Sequence, residues 1–256
     1  MSLPGSKDTG RTMGTGTLNP ALQPAWHSWL VGRINAGFRS LSRHWLLALN
    51  LTLGLWVGLP WLAPVFMHWG WAGPAKALYW LYGLFCHQMG QRSWFLFGSS
   101  FSPTLAEINR VSGAGNNMAA LRYFIGNAEM GWKLAWSDRM VSFYGSWFLF
   151  GLLHAALRNR RHGLHWRTAI LLVLPMALDG ITHMVSDLWG IGNGFRDSNA
   201  WLVALTGNAL PAIFYAGDAW GSFNSLVRLV TGPPAAFGII FWLLPELDRL
   251  TGRQSQ

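Results

Sequence analysis

The stretch TAILLVLPMALDGITHMVSD, residues 168–187, decides how the chain is read. Its apolar part has the length and character of a membrane-spanning helix. Yet it carries Asp179, His183 and Asp187 at i, i+4 and i+8. On a helix these three share one face, each about one turn above the last, and Ser186 lies on the same side. An ionisable group at bilayer depth costs free energy, so it faces protein or a water-filled cavity and marks a site.

Composition agrees with a membrane setting. The 256 residues are 51% hydrophobic and only 11% charged, against about 25% charged in soluble domains. Many of the 17 Trp stand near the ends of apolar runs, where interfacial aromatic belts form. The net charge of +9 comes from scattered Arg and Lys at the ends of those runs. They read as orientation signals, and no stripe suited to nucleic acid is present. A single cysteine, Cys86, excludes an intrachain disulfide.

Working outward, Met140 to Leu157 forms the span before this helix, Trp45 to Val65 the first span and Phe223 to Leu244 the last. Pro60 and Pro64 should kink the outer end of the first. The fold expected is an all-α integral membrane bundle of about four spans with one re-entrant or interfacial segment. That segment is 76–97, an apolar stretch interrupted by Cys86-His87-Gln88 and Gln91-Arg92-Ser93.

Residues 1–23, polar and Gly-rich, read as a disordered tail. Residues 24–44 place Trp26, Leu30, Ile34 and Phe38 at helical spacing with Arg33, Arg39 and Arg43 between them. This is the pattern of an amphipathic helix on the membrane surface. Residues 45–248 make a single transmembrane domain. Segments 98–138 and 190–221 read as loops on the extracytoplasmic side, the first with short helices. Arg158, Arg160, Arg161 and Arg167 crowd one short connection and place it in the cytoplasm. Both termini are then cytoplasmic in a multi-pass protein of the cell membrane.

Three groups could carry chemistry. Asp179, His183 and Asp187 offer carboxylate and imidazole ligands in series, and they suit a divalent metal with open positions. Cys86 and His87 are possible ligands or nucleophile and base, but neighbours on a helix point about 100° apart, so the two are not expected to serve one small site together. Gln88 and Arg92 would share a helix face. Asn224, Arg228 and Thr231 lie in the last span, where Arg228 needs an acid or an anionic ligand; Asp179 and Asp187 are its expected partners. Arg139 and Tyr144 stand at the outer end of the third apolar run and could join them.

These pieces resemble a family of bacterial and archaeal membrane proteins known as domain of unknown function 2085. The resemblance rests on Cys86-His87-Gln88 with Arg92-Ser93, on Arg139 with Tyr144-Gly145, on Leu174-Pro175 with Asp179-Gly180, and on Ser222-Phe223-Asn224 with Arg228 and Thr231-Gly232. The order holds from Leu81 to Gly238. The family often has a second cysteine where this chain has Ser137, and Gln where it has His183. Segment 190–221 looks like an insertion. The family has no assigned activity, so the resemblance implies a fold and a site.

The leading expectation is a polar pocket open to the outer face. Asp179, His183 and Asp187 would hold a metal there, with His87 and Arg228 nearby, and a lipid-like ligand would be held or acted upon. A second is ion or solute transport along the same ladder, although no internal repeat is visible. A third is a structural subunit of a membrane complex.

Overall fold

The computed structural model describes residues 25–157 and 163–250. The polar tail and Arg158, Arg160 and Arg161 lie outside the described residues. Helix α1 covers Ala25–His68. Its backbone departs from helical geometry at His44 (φ −117°, ψ 19°) and stays helical through Pro60 and Pro64, where the sequence suggested a kink. The described residues up to Trp45 belong to one unit and those from Leu46 to another. In the first, Trp26, Trp29, Leu30 and Ile34 are exposed on the helix.

Among the described residues four helices are long and apolar enough to cross a membrane: His44–His68, Asp138–Leu157, Trp166–Leu188 and Phe223–Arg249. This is the all-α membrane bundle expected. The second and third are α5 (Asp138–Leu157) and α6 (Trp166–Leu188). The last consists of α10 (Phe223–Val230) and α11 (Gly232–Leu250). The seam between them is tight: a Cβ on Gly232 would stand 2.5 Å from Ser142 Oγ and 2.9 Å from the Phe143 backbone nitrogen of α5.

Helix α6 shows how the bundle sorts its residues. Leu171, Leu174, Leu178, Ile181, Val185 and Leu188 recur at helical spacing and are exposed, while Asp179, His183 and Ser186 are buried. In water that apolar stripe would be a liability; in a bilayer it is the face that meets lipid.

Antiparallel crossing of the four helices puts segments 69–137 and 189–222 at the same end of the bundle. The first is more than the loop with short helices expected. Helix α2 (Ala72–Gly83) has 12 residues, about 18 Å and too short to span. The chain then leaves helical geometry, makes a tight turn over Gly90–Arg92 and enters strand β1 (Ser93–Leu96). Helices α3 (Leu105–Ser112) and α4 (Met118–Tyr123) follow. Strands β2 (Gly126–Asn127) and β3 (Gly131–Ser137) complete an antiparallel sheet in the order β1-β3-β2. Phe95 pairs with Lys133 and Ser93 with Ser137. Met89, Phe95, Ile108, Leu121, Met130 and Ile191 form a small core there. Segment 189–222 folds into α7 (Phe195–Ser198), α8 (Ala200–Thr206) and α9 (Ala212–Tyr215).

Candidate functional site

Four arginines, four aspartates and His183 meet where these two segments close the end of the bundle. Each guanidinium comes from a different element. Arg92 leaves the turn before β1 and grips Asp187 with both terminal nitrogens, at 2.7 Å each. Its Nε donates to Asp218 at 2.6 Å. Arg228 of α10 donates from Nε to Asp138, at 2.8 and 3.0 Å, and from Nη1 to Asp218 at 2.6 Å. Arg139 and Arg196 share Asp179: Arg139 reaches Oδ2 at 2.6 Å and Arg196 reaches Oδ1 at 2.7 Å.

His183 stands between the two halves. Its Nδ1 lies 3.2 Å from Arg139 Nη2 and 3.3 Å from Asp179 Oδ1; its Nε2 lies 3.4 Å from Arg228 Nη1 and 3.7 Å from Asp218 Oδ1. With His183 counted neutral, four arginines and four aspartates sum to zero formal charge. Buried charges persist when paired and hydrogen-bonded.

Outside the spans the electrostatics follow from burial and partners. Burial alone would raise the Asp218 carboxyl, but Arg92 and Arg228 hold it well below the usual carboxylate range. Burial lowers the Arg92 guanidinium, and Asp218 and Asp187 more than reverse this, so it is held above its ordinary value. Arg196 is shifted down by burial, which Asp179 offsets only in part.

Glycine and serine let segment 189–222 dock. A Cβ on Gly194 would stand 2.0 Å from Ser186 Oγ and 2.4 Å from Ser186 O. That contact seats the turn against α6, and the Arg196 backbone N–H donates to Ser186 Oγ at 3.0 Å. The segment read as an insertion thus supplies Arg196 and Asp218, two members the sequence reading did not single out. The requirement that every buried Arg find an acid was the available signal, since the chain has only 10 Asp and Glu.

Other expected residues fall as follows. Arg228 is buried and paired, but its partners are Asp138 and Asp218 in place of Asp179 and Asp187. Gln88 and Arg92 do not share a helix face, because residues 86–92 are not α-helical. Gln88 has φ +50°, unusual for a residue with a side chain. Its Nε2 turns to Tyr79 O and Ala135 O. Cys86 is buried with Sγ 3.4 Å from Ser137 Oγ. His87 is exposed. Asn224 donates to Arg196 O at 2.6 Å, and Thr231, just past the end of α10, donates back to Val227 O. Tyr144 packs its ring on Trp136 and Trp56, in an aromatic cluster beside the charged one.

Asp179, His183 and Asp187 do not assemble as a metal site. Guanidinium groups take both oxygens of Asp179 and both of Asp187. Among the described residues no group of three or more His, Cys, Asp or Glu is arranged to hold a metal ion.

A cavity of about 490 Å³ borders the cluster. Its lining mixes charged and polar groups, among them Cys86, His87, Arg92, Asp138, Arg139, His183, Asp187 and Arg228, with apolar ones, among them Phe85, Met89, Met118, Met140, Met184 and Leu188. Among the described residues the buried Arg139 Nε finds no hydrogen-bond partner. No family model matches the chain, and no curated protein or solved structure is significantly similar to it.

Proposed function

We propose that this multi-pass membrane protein holds a lipid-like ligand in the cavity beside the charged cluster, with the ligand's polar end at Arg139 and its apolar part among the methionines. The observation that carries the reading is the mixed lining, charged groups together with several methionines. Binding pockets combine apolar walls with a few fixed polar groups. Because the cluster is already charge-balanced, a polar end without net charge fits it best. The Arg139 guanidinium, at 17% the most exposed of the four, supplies the donor. Guanidinium pairing of Asp179 and Asp187 speaks against a divalent metal as the cofactor, and Cys86 and His87 serve as wall contacts. With both termini in the cytoplasm, the cavity opens to the extracytoplasmic side. The contact between Cys86 and position 137, where domain of unknown function 2085 often has its second cysteine, supports kinship with that family.

The test is native mass spectrometry of detergent-purified protein. Gly180 borders the cavity, and a Cβ there meets only Arg139 Nη1, at 3.7 Å. Gly180→Leu should therefore fill the space without breaking the helix. A co-purifying neutral or zwitterionic lipid present in wild type and lost in the variant is the expected result. Equal lipid in both would refute the reading.

One observation favours a second reading, a proton path. His183 has one ring nitrogen near each half of the cluster. Proton flux in proteoliposomes that His183→Gln abolishes would support it; equal flux would discard it.

A further inference from the structure

A second cavity, of about 400 Å³, lies between α2, α4 and β3, and its lining includes Lys76, Tyr79, Trp80, Arg122, Tyr123 and Lys133. It differs from the first in charge. Three cations line it and no acid does. Lys133 is 1% exposed on β3. Its ammonium donates to Gln88 O at 2.7 Å and Arg122 O at 2.6 Å. An ammonium has three N–H groups, so one remains for a guest. Arg122 spends one guanidinium N–H on Gly83 O. Among the described residues no carboxylate pairs with Lys76, Arg122 or Lys133.

We propose that this cavity binds an anionic phosphate group, with Lys133 and Arg122 as its inner cations and Lys76 at its rim. A buried cation without a counter-ion is costly. Burial, opposed by the nearby Cys86 and aided by the neighbouring Arg122 guanidinium, pulls Lys133 down to about 7. A phosphate oxygen would supply the counter-charge and accept the free N–H groups in charge-assisted hydrogen bonds. Trp80 and Tyr123, at 70% and 76% exposed, flank the mouth. Aromatic rings of this kind sit at the headgroup level of a bilayer, so both an acidic lipid and free phosphate are sources of the group. The site is independent of the neutral-ligand cavity proposed above and stands or falls without it.

The experiment uses the full chain in a neutral maltoside detergent, titrated separately with inorganic phosphate and with short-chain phosphatidylglycerol. Lys133→Met, Arg122→Gln and Lys76→Gln are measured beside wild type. Lys133→Met should abolish binding, and Arg122→Gln should raise Kd about tenfold, the effect of one charge-assisted hydrogen bond. Lys76→Gln should raise it about threefold, as befits an exposed rim charge. Binding of inorganic phosphate with this ranking identifies a free-anion site; binding of phosphatidylglycerol alone identifies a lipid headgroup site. No binding of either probe to wild type overturns the proposal. So does binding that Arg122→Gln and Lys76→Gln leave unchanged, a result that stands even if Lys133→Met does not fold.

Discussion

The two cavities share a wall at Gln88 and differ in how their charges are settled. Beside one, every arginine of the cluster meets a carboxylate of the same chain. In the other, among the described residues, the ammonium of a buried lysine hydrogen-bonds backbone carbonyls and no carboxylate. The first is a closed account of charge, so its guest must bring none. The second is short of one anion, so its guest must bring it. The difference teaches that a buried charge announces a ligand only when its own chain leaves it unpaired.

The sharpest way to break this comparison is to remove one cation from each region. Arg228→Met strands Asp138 and leaves Asp218 to Arg92 alone, and it should destabilise the protein by about 3–5 kcal/mol. Lys133→Met removes a charge with no acid partner and should change stability by less than about 1.5 kcal/mol, the two lost carbonyl bonds offsetting the relief of a buried cation. Thermal unfolding in one detergent checks both. Equal losses would contradict an unpaired Lys133.

Next in size is Gly194→Ala. Its methyl group would collide with the backbone of Ser186, so the turn must move and Arg196 must leave Asp179. Overpacking of this kind costs about 1–3 kcal/mol. Double-mutant cycles with Arg196→Gln should show strong non-additivity; simple additivity would separate the glycine from the ion pair.

The pH dependence distinguishes the regions by sign. Lys133 in the fold releases its proton near pH 7, while the unfolded lysine keeps it to about 10.5. Between these values the unfolded state binds more protons, so the Lys133 penalty, full below pH 7, fades as pH rises to about 10.5. Asp218, held below its ordinary range, contributes stability present at neutral pH and lost only in acid, as pH falls through its folded value. A wild-type stability curve that rises from pH 7 to 10 and flattens in Lys133→Met is expected. Parallel curves would contradict the burial of an unpaired amine.

The smallest effect sought is chemical. Ser137→Cys places a second thiol against Cys86, whose Sγ is 3.4 Å from the serine oxygen. Mild oxidation should close a disulfide there with little change in stability, read by mass before and after reduction. Two free thiols after oxidation would weaken the proposed kinship.

Much of the fold was legible because a bilayer imposes length and apolarity on anything that crosses it. The burial of Asp179, His183 and Arg228 was legible for the same reason, since lipid exposure would be too costly. Their partners were not. Asp138 looked like the end of a polar loop, and Asp218 lay in a segment read as an insertion; both reach the cluster through contacts distant in sequence. Gln88 and Arg92 misled because helical spacing was assumed across residues that bend into a turn and a strand. Lys133 escaped notice altogether. It sits in a Gly-rich stretch whose strand character comes from pairing with residues 93–96, a long-range event that local composition does not encode.

The central claim is that the cavity beside the balanced cluster holds an amphipathic ligand without net charge. Native mass spectrometry of wild type beside Gly180→Leu addresses it most directly. The account predicts one neutral or zwitterionic lipid-like molecule bound to wild type and absent from the variant. An acidic lipid retained at that cavity, or the same complement in both proteins, would contradict it.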